Sequence, residues 1–348
     1  TPEGAKKLKK AGAKIFVEKG AGLGSGFSDA DYKKYGVKIS SIKQILKECE
    51  LILKIKEPIG KELTYFKSKH TVFTYFHFAS NKNLTKAMLK SGCNCIAYET
   101  VSSKKVRTPL LAPMSEVAGR MAPHIGAYYL AKPNKGRGIL LQGINGVDPA
   151  VVVILGGGFV GSNSAEVALG MGANVTILQR KGNTFKKLKK KFSKARIIES
   201  TPKNIEKEVK KADLLIGAIY VPGEKAKRLV TKKLVWEMKQ NSVIVDVAID
   251  QGGAVETSKA TTHSNPVYKV NGVTHYCVAN MPGAYPRTST LGITNATLPY
   301  IMKMLKQGIP KALRTDIGFL QGVNIWQGQL VSHEVARALN LKASYLVF

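Results

Sequence analysis

Segments with the hydrophobic spacing of strands and segments with the hydrophobic spacing of helices follow one another along this chain, and this succession predicts an α/β protein. Short apolar runs predict strands, and segments with apolar residues three and four positions apart predict helices. In the first third the predicted strands are 13–17, 38–40, 51–55, 71–75 and 94–98, and the predicted helices are 29–35, 41–49 and 84–90. Thr1 and Pro2 have the residue types of a helix N-cap and a first helical position. Strand and helix take turns, which favours a parallel sheet.

A second series of strands and helices begins after a Gly- and Lys-rich loop at 132–148. Its predicted strands are 151–155, 174–178, 196–199, 214–216 and 243–247, and its first predicted helix is 159–171. Residues 114–130 are small and apolar, which suits a long helix that crosses between domains, and a helix predicted at 291–306 returns to the first domain. The length of 348 residues and the two series together predict two domains.

A glycine-rich motif opens this second series. Strand 151–155 runs into Gly156, Gly158 and Gly161 in GxGxxG spacing, and a helix and a further strand follow. Gly156 permits a tight turn, Gly158 lets the backbone approach a pyrophosphate, and Gly161 lets the helix pack on the strand. The helix N-terminus supplies N–H donors to the phosphates. The motif predicts a nicotinamide dinucleotide site, with a purely structural turn as the alternative.

The residue that ends the next strand departs from the usual dinucleotide pattern. An Asp or Glu is common there and accepts the adenosine ribose hydroxyls, whereas this chain has Gln179, followed by Arg180 and Lys181. Gln179 can hydrogen-bond a ribose without repelling a 2′-phosphate, and the two cations can contact that phosphate. We expect NAD as the cofactor, with NADP or the use of both as alternatives.

Composition changes the picture mainly through charge. The chain has 54 Lys and Arg against 23 Asp and Glu, a formal net charge of +31, and is 44% hydrophobic, which excludes a disordered protein. The basic excess is broad, and its densest segment, 180–196, places Phe185, Leu188 and Phe192 on one helical face with lysines opposite. A solvated helix face explains this segment, with a phosphate or polyanion contact as the alternative. No motif for sequence-specific nucleic-acid recognition accompanies it, so a nucleic-acid partner is not expected.

The number of cysteines and the length of the apolar runs indicate the cellular compartment to expect. Cys49, Cys93, Cys95 and Cys277 are too few and too scattered for a disulfide framework, and a lone CxC predicts no metal site. No apolar run approaches the ~20 residues of a membrane helix, and no apolar signal region follows the lysine-rich start. We expect a cytoplasmic protein without a membrane partner.

Eight sequence blocks together identify a family. They are TPEGAKKL, VEKGAGLGSGFSDADY, LKIKEP, FTYFHFA, PLLAPMSEVAGRMA, VVVILGGGFVGSNSA, VIVDVAIDQGG and VANMPGAYPRTST with TNATLPY. The chain resembles the alanine dehydrogenase and transhydrogenase alpha-subunit superfamily over essentially its whole length. The resemblance implies a discontinuous Rossmann-like substrate domain at 1–113 and 291–348, an inserted NAD(P)-binding Rossmann domain at 114–290, and a homo-oligomer, usually a hexamer. It implies reversible NAD-dependent oxidative deamination of L-alanine to pyruvate and ammonium.

The same resemblance implies roles for individual residues. Lys56 of LKIKEP resembles the lysine that binds and polarises the keto acid, His77 of FTYFHFA the active-site histidine, and Asp250 of VAIDQGG the catalytic aspartate. Further residues resemble substrate contacts (Tyr75, Leu111 and Asn280) and cofactor contacts (Ser115, Val247, Ile249, Asp250, Val278 and Met281). A histidine or a carboxylate can transfer protons near neutral pH, and a lysine can stabilise the negative charge that develops on an oxygen atom. We assign proton transfer jointly to His77 and Asp250; outside these motifs such residues are more often structural.

One departure from the family pattern bears on substrate binding. In the family a strand precedes the TPEG helix and carries an arginine that clamps the substrate carboxylate, whereas this sequence begins at Thr1. We expect either a fragment or a truncated protein whose substrate binding suffers more than its dinucleotide binding. Two alternatives to a dehydrogenase follow: a transhydrogenase alpha-type NAD(H)-binding subunit, against which Lys56 and His77 argue, and a cofactor-binding homologue without turnover.

Overall fold

The computed structural model describes residues 1–219 and 227–348, which fall into two compact units. The first unit combines Thr1–Met114 with Pro286–Phe348, and the second is Ser115–Tyr285. The predicted α/β class with two domains, one of them discontinuous, is confirmed. The later boundary differs from the predicted 290/291 because a helix that belongs wholly to the first unit begins at Pro286.

The strands of the described residues are short and mostly apolar. In chain order they are β1 (Phe16–Glu18), β2 (Lys38–Ser40), β3 (Leu51–Leu53), β4 (Thr71–Thr74), β5 (Asn94–Ala97), β6 (Val151–Leu155), β7 (Asn174–Gln179), β8 (Arg196–Glu199), β9 (Leu214–Gly217), β10 (Val243–Asp246), β11 (Val267–Val270), β12 (Val273–Tyr276), β13 (Val323–Trp326) and β14 (Gln329–Leu330).

The α-helices cover the strands or connect them. In chain order they are α1 (Pro2–Lys10), α2 (Asp29–Lys33), α3 (Ile42–Glu48), α4 (Lys82–Ser91), α5 (Ala112–Leu130), α6 (Phe159–Gly170), α7 (Asn183–Lys191), α8 (Pro202–Val209), α9 (Lys232–Trp236), α10 (Pro286–Gln307), α11 (Ile309–Arg314), α12 (Ile317–Leu320) and α13 (His333–Leu339). None of the helices in the described part of the chain has both the length and the apolar character that crossing a bilayer requires.

A seven-stranded sheet forms the centre of the second unit, in the order β11-β12-β10-β9-β6-β7-β8. Its parallel strands, counted along the chain from β6, follow the 3-2-1-4-5-6 order of dinucleotide-binding folds. Alternate residues of β6 join two separate cores: Val152 and Ile154 pack with α5, α6 and α7, and Val153 and Leu155 pack with α8 and α9. Helices therefore cover both faces of the sheet, and the strand order reverses between β6 and β9.

The first unit contains a five-stranded sheet in the order β14-β13-β5-β4-β3, and a separate parallel pair, β1-β2. Strands β3, β4 and β5 are parallel, and their carboxyl ends meet at one edge. Alternate residues again join two cores, with Val72 and Cys95 in one and Phe73 and Ile96 in the other. The parallel strands position the residues that follow β3 and β4.

Two strands depart from the parallel arrangement that dominates both sheets. Strand β11 pairs antiparallel with β12 through Asn271 and Gly272, whose φ angles of +48° and +78° suit a two-residue hairpin turn. Strand β13 pairs antiparallel with β5 and with β14. Several predicted bounds also shift: the strand predicted at 243–247 ends at Asp246, because Val247 begins a 3₁₀ turn.

Candidate active site

The glycine-rich turn lies between β6 and α6. Gly156 has φ +92°, and a Cβ on it would stand 2.8 Å from the Ala218 carbonyl oxygen. A Cβ on Gly161 would stand 1.8 Å from the Gly156 carbonyl oxygen, so the close packing of α6 on the turn requires glycine. A Cβ on Gly158, the N-cap of α6, meets nothing within 4 Å. Open space beside the N–H donors of this helix fits a dinucleotide pyrophosphate.

Gln179 connects the end of β7 to this turn. Its Oε1 accepts the Gly157 N–H at 2.8 Å, and its Nε2 donates to the Arg180 carbonyl oxygen at 3.4 Å. Each end of the Gln179 amide thus makes one hydrogen bond inside the protein and keeps one further acceptor or donor position. Arg180, the next residue, is exposed.

A buried carboxylate organises the turn that carries Asp250. Asp246 ends β10 and is fully buried. Its Oδ2 accepts hydrogen bonds from Ser258 Oγ at 2.6 Å and from the Ala254 N–H at 2.8 Å, and its Oδ1 accepts the Ala248 N–H at 3.2 Å. Burial raises the pKa of this carboxyl above its ordinary value, although the hydrogen bonds oppose the rise. Asp246 thus ties both ends of the turn to the sheet.

Two predicted site residues meet directly in the second unit. Asp250 is exposed on the 3₁₀ turn Val247–Gln251, and its Oδ1 accepts the backbone N–H of Asn280 at 3.2 Å. Asn280 has a left-handed backbone with φ +57°, and its carbonyl oxygen lies 3.1 Å from His263 Nε2. The 247–251 turn and the segment after β12 are therefore one connected surface.

The predicted cofactor contacts on these segments differ in exposure. Ile249, Val278 and Met281 are 7%, 0% and 2% exposed, so they present little surface to a ligand. Val247 is half-buried at the start of its turn. Ser115, in the first turn of α5, is also half-buried.

In the first unit, His77 follows β4 and is exposed. Its φ of +51° lies in the left-handed region, which is uncommon for non-glycine residues. The Glu99 carboxylate holds this conformation, because its Oε1 accepts the His77 N–H at 2.6 Å and the Phe76 N–H at 3.2 Å. The imidazole lies parallel to the Tyr75 ring at a centroid distance of 6.0 Å. Within residues 1–219 and 227–348 neither ring nitrogen of His77 has a hydrogen-bond partner, so both are available to a ligand.

Tyr75 contributes its ring to this site and keeps its hydroxyl inside the protein. The hydroxyl donates to the Leu110 carbonyl oxygen at 2.5 Å, and burial raises the pKa of the phenol far above its ordinary range. Leu111, beside that carbonyl, is half-buried against the same core. Tyr75 and Leu111, two of the three predicted substrate contacts, thus belong to the same core of the first unit.

Lys56 lies just beyond β3, at the carboxyl edge of the sheet. Its Nζ is 3.6 Å from Glu57 Oε2, and its side chain is 49% exposed. Its carbonyl oxygen accepts the Thr74 hydroxyl at 3.1 Å, which ties the lysine segment to the end of β4. A half-exposed ammonium beside a single carboxylate can take a second anionic partner.

Comparison with known proteins gives one consistent result. The family models named alanine dehydrogenase/PNT match residues 1–118 with the N-terminal domain and residues 122–333 with the C-terminal domain. The alanine dehydrogenase of Halomonas elongata is 47% identical over 344 residues, which are 98% of this chain and 93% of that protein. A solved L-alanine dehydrogenase aligns with a TM-score of 0.92 and 42% identity, covering 98% of this chain and 94% of that one. A transhydrogenase from Sinorhizobium meliloti aligns at 0.82 with 23% identity over 95% of each chain, which shows the fold alone.

These matches decide the family. The chain belongs to the alanine dehydrogenase/PNT family. The resemblance drawn from the eight sequence blocks is confirmed. In this family member the predicted residues form two groups, one in each unit: Lys56, Tyr75, His77 and Leu111 in the first, and the glycine turn, Gln179, Asp250 and Asn280 in the second.

Two carboxylates of the family member were not predicted from the sequence. Glu99 holds the backbone of His77, and Asp246 holds the turn of Asp250. Asp246 stands four residues before Asp250 in the same VIVDVAIDQGG block, and its place at the end of an apolar strand is the signal that could have marked it. Glu99 has no local signal, because its partners lie more than twenty residues earlier.

Proposed function

We propose that this chain is an alanine dehydrogenase, which catalyses the reversible NAD-dependent oxidative deamination of L-alanine to pyruvate and ammonium. The observation that carries the proposal is the 47% identity to a curated alanine dehydrogenase over 98% of the chain. An intact glycine turn beside an open helix N-terminus supports it. A bound nicotinamide would supply the acceptor for the hydride that leaves the substrate Cα, and water would then add to the resulting imine, release ammonium and leave pyruvate.

In this proposal the chain's own side chains bind the substrate and move its protons. Lys56 holds the carbonyl oxygen and stabilises its developing charge. His77 and Asp250 take up and release protons, and both side chains are exposed. The free ring nitrogens of His77 and the fixed backbone beneath it support this role. Tyr75 and Leu111 limit the pocket to a small apolar side chain, and Asn280 orients Asp250 through its backbone N–H.

The cofactor contacts follow from the fold of the second unit. Gly156, Gly158 and Gly161 shape the turn that receives the pyrophosphate, and Gln179 lies where the adenosine ribose is bound. The other cofactor contacts that we propose are Ser115, Val247, Ile249, Val278 and Met281. We propose NAD(H) as the cofactor, with NADP(H) as the alternative, because no acidic residue stands at position 179.

We further propose a cytoplasmic homo-hexamer that works on small molecules. The family resemblance supports the hexamer. The four cysteines, all unpaired, support a reducing compartment.

The experiment is an initial-rate assay of NADH formation from L-alanine and NAD, and of NADH consumption with pyruvate and ammonium. We expect both directions to proceed. His77→Gln and Asp250→Asn are expected to lower kcat by about 10²- to 10⁴-fold. His333→Gln, an exposed histidine at the start of α13 in the same unit as His77, is the matched control and is expected to keep kcat within about twofold.

Other outcomes would assign the chain differently. If NADH binds and no alanine-dependent turnover is detected, the chain is a cofactor-binding homologue or a transhydrogenase-type subunit. If His333→Gln loses as much activity as His77→Gln, the assigned role of His77 is wrong.

A further inference from the structure

A concavity of about 310 Å³ lies beside the dinucleotide turn in the second unit, lined by Gln179, Arg180, Lys181, Gly182, Asn183 and Thr184. It begins at the carboxyl end of β7, and Gln179 connects it to the glycine turn through the 2.8 Å hydrogen bond to the Gly157 N–H. In dinucleotide-binding folds the adenosine ribose, with its 2′ position, lies at the end of this second strand. The concavity is therefore where a group on the 2′ oxygen would be accommodated.

The charge of the lining favours an anion. Two of its six residues are cationic and none is acidic. Lys181 already pairs with Glu199, Nζ to Oε2 at 3.1 Å, so part of its charge is compensated. Arg180 is exposed, and among residues 1–219 and 227–348 its guanidinium has neither an ion pair nor a hydrogen bond. The uncompensated cation of the concavity is thus Arg180, whose planar group binds phosphate oxygens in pairs.

The state of Gln179 also disfavours selection for a free ribose hydroxyl. A carboxylate at this position would accept the 2′ hydroxyl and repel a 2′-phosphate. The Gln179 amide is neutral and therefore does not repel a phosphate, and its NH₂ group keeps one N–H that can donate to a phosphate oxygen. Asn183 and Thr184 add further side chains that can donate hydrogen bonds to phosphate oxygens.

We propose that this concavity binds the 2′-phosphate of NADP(H), with Arg180 as its principal ligand, and that the chain binds NADP(H) comparably to NAD(H). The inference rests on the dinucleotide site of the proposed function. It adds a second cofactor and assigns its recognition to residues 179–184.

The test measures binding without turnover. NADH and NADPH are titrated separately into the full chain at one low salt concentration, and nucleotide fluorescence gives each Kd. We expect the wild-type Kd for NADPH to be within about tenfold of that for NADH, or lower. Arg180→Ala should weaken NADPH by about tenfold or more and leave NADH within about twofold, because the lost contact is a charge-assisted hydrogen bond to phosphate alone.

Two further variants sharpen the test. Gln179→Glu keeps the side-chain length and the acceptor for the Gly157 N–H, adds a negative charge, and should weaken NADPH alone by about tenfold or more. Lys187→Ala removes an exposed charge on α7 outside the concavity and should change neither Kd by more than about twofold. Competition against NADPH that is about tenfold or more stronger with 2′,5′-ADP than with 5′-AMP would show that the additional affinity comes from the 2′-phosphate.

The outcomes separate this inference from the proposed function. If NADH binds and NADPH binds more than about tenfold more weakly, the inference is wrong and the dinucleotide site stands. Equal weakening of both nucleotides by Arg180→Ala also overturns it. If neither nucleotide binds, the inference and the cofactor part of the proposed function both fail.

Discussion

Replacement of Asp246 by alanine tests how the turn that carries Asp250 is held. The carboxylate accepts hydrogen bonds from the Ser258 hydroxyl and from the backbone N–H groups of Ala248, Ala254 and Val255, at distances from 2.6 to 3.2 Å. All of these donors are buried with it. Alanine in its place leaves these four donors without their acceptor. The turn is therefore expected to open locally before the rest of the sheet unfolds.

The magnitude follows from the number and type of these bonds. A hydrogen bond to a charged group contributes about 1.5–3 kcal/mol, and burial of the carboxylate, which raises its pKa, offsets part of the sum. A buried donor left without an acceptor costs about 1–3 kcal/mol, so the four donors together, after that offset, cost about 3–5 kcal/mol. We expect Asp246→Ala to lower the free energy of unfolding by that amount. Ser258→Ala removes the hydroxyl donor alone and should cost about 1–2 kcal/mol.

Hydrogen–deuterium exchange of peptides that cover residues 247–258 measures the local effect, and urea unfolding measures the global one. In Asp246→Ala the amides of Ala248, Ala254 and Val255 should exchange at least about a hundredfold faster than in the wild type. Asp148→Ala, an exposed aspartate of the same unit, should leave exchange unchanged and stability within about 0.5 kcal/mol. Wild-type exchange rates in Asp246→Ala would refute the assignment of this carboxylate as the anchor of the turn. kcat should also fall, because Asp250 lies on that turn.

Two further predictions concern the second unit. Gly161→Ala would bring a methyl group to 1.8 Å from the Gly156 carbonyl oxygen and should lower the free energy of unfolding by about 3 kcal/mol or more. Gly158 has φ −69° and open space around it, so Gly158→Ala should leave stability within about 0.5 kcal/mol. The added methyl group of Gly158→Ala should instead weaken NADH binding by about tenfold or more. Urea unfolding and NADH titration distinguish the two effects, and equal stability losses would contradict the geometry. Burial lowers the pKa of His275 below 6.5, so the unfolded chain binds a proton near that pH which the folded chain does not. Stability should fall as the pH drops below about 6.5, by up to about 1.4 kcal/mol per pH unit from this group. His275→Gln should reduce that slope in unfolding midpoints, and His70, whose pKa burial also lowers, should retain part of it; an unchanged slope would contradict the assignment.

Local sequence rules predict the parts of this fold that neighbouring residues determine. Thr1 caps α1 by accepting the Gly4 N–H at 3.1 Å, as its residue type predicts. Strand β6 has the predicted bounds, because a short run of apolar residues that ends in glycines is typical of a buried parallel strand and too short for a helix. The order of the central strands then follows from the dinucleotide motif that β6 begins.

Elements set by turn chemistry or by distant pairing are harder to predict. The β11–β12 hairpin has an Asn-Gly signal at Asn271 and Gly272, a local pattern typical of two-residue turns, although the predicted strands do not include β11 or β12. Strand β13 has no equivalent signal. Its partner strand β5 lies more than two hundred residues earlier in the chain, and the turn after β13 is joined to β5 by the hydrogen bond from the Gln327 N–H to Asn94 Oδ1 at 2.8 Å. No periodicity in residues 323–326 specifies that partner.

The candidate site shows the same division at the level of single side chains. A family motif predicts a catalytic role for Asp250. The strand before it is buried on both faces, so its sequence has no polar and apolar alternation that would mark Asp246 as a supporting residue. At position 179 the residue type alone suggests a ribose partner, whereas the structure shows that the amide oxygen also accepts the Gly157 N–H of the glycine turn. Because Gln179 is neutral, the charge that can decide between the two cofactors is that of Arg180, which is exposed. A residue type therefore indicates which chemistry is possible, and the hydrogen bonds already made determine which part of it remains for a ligand.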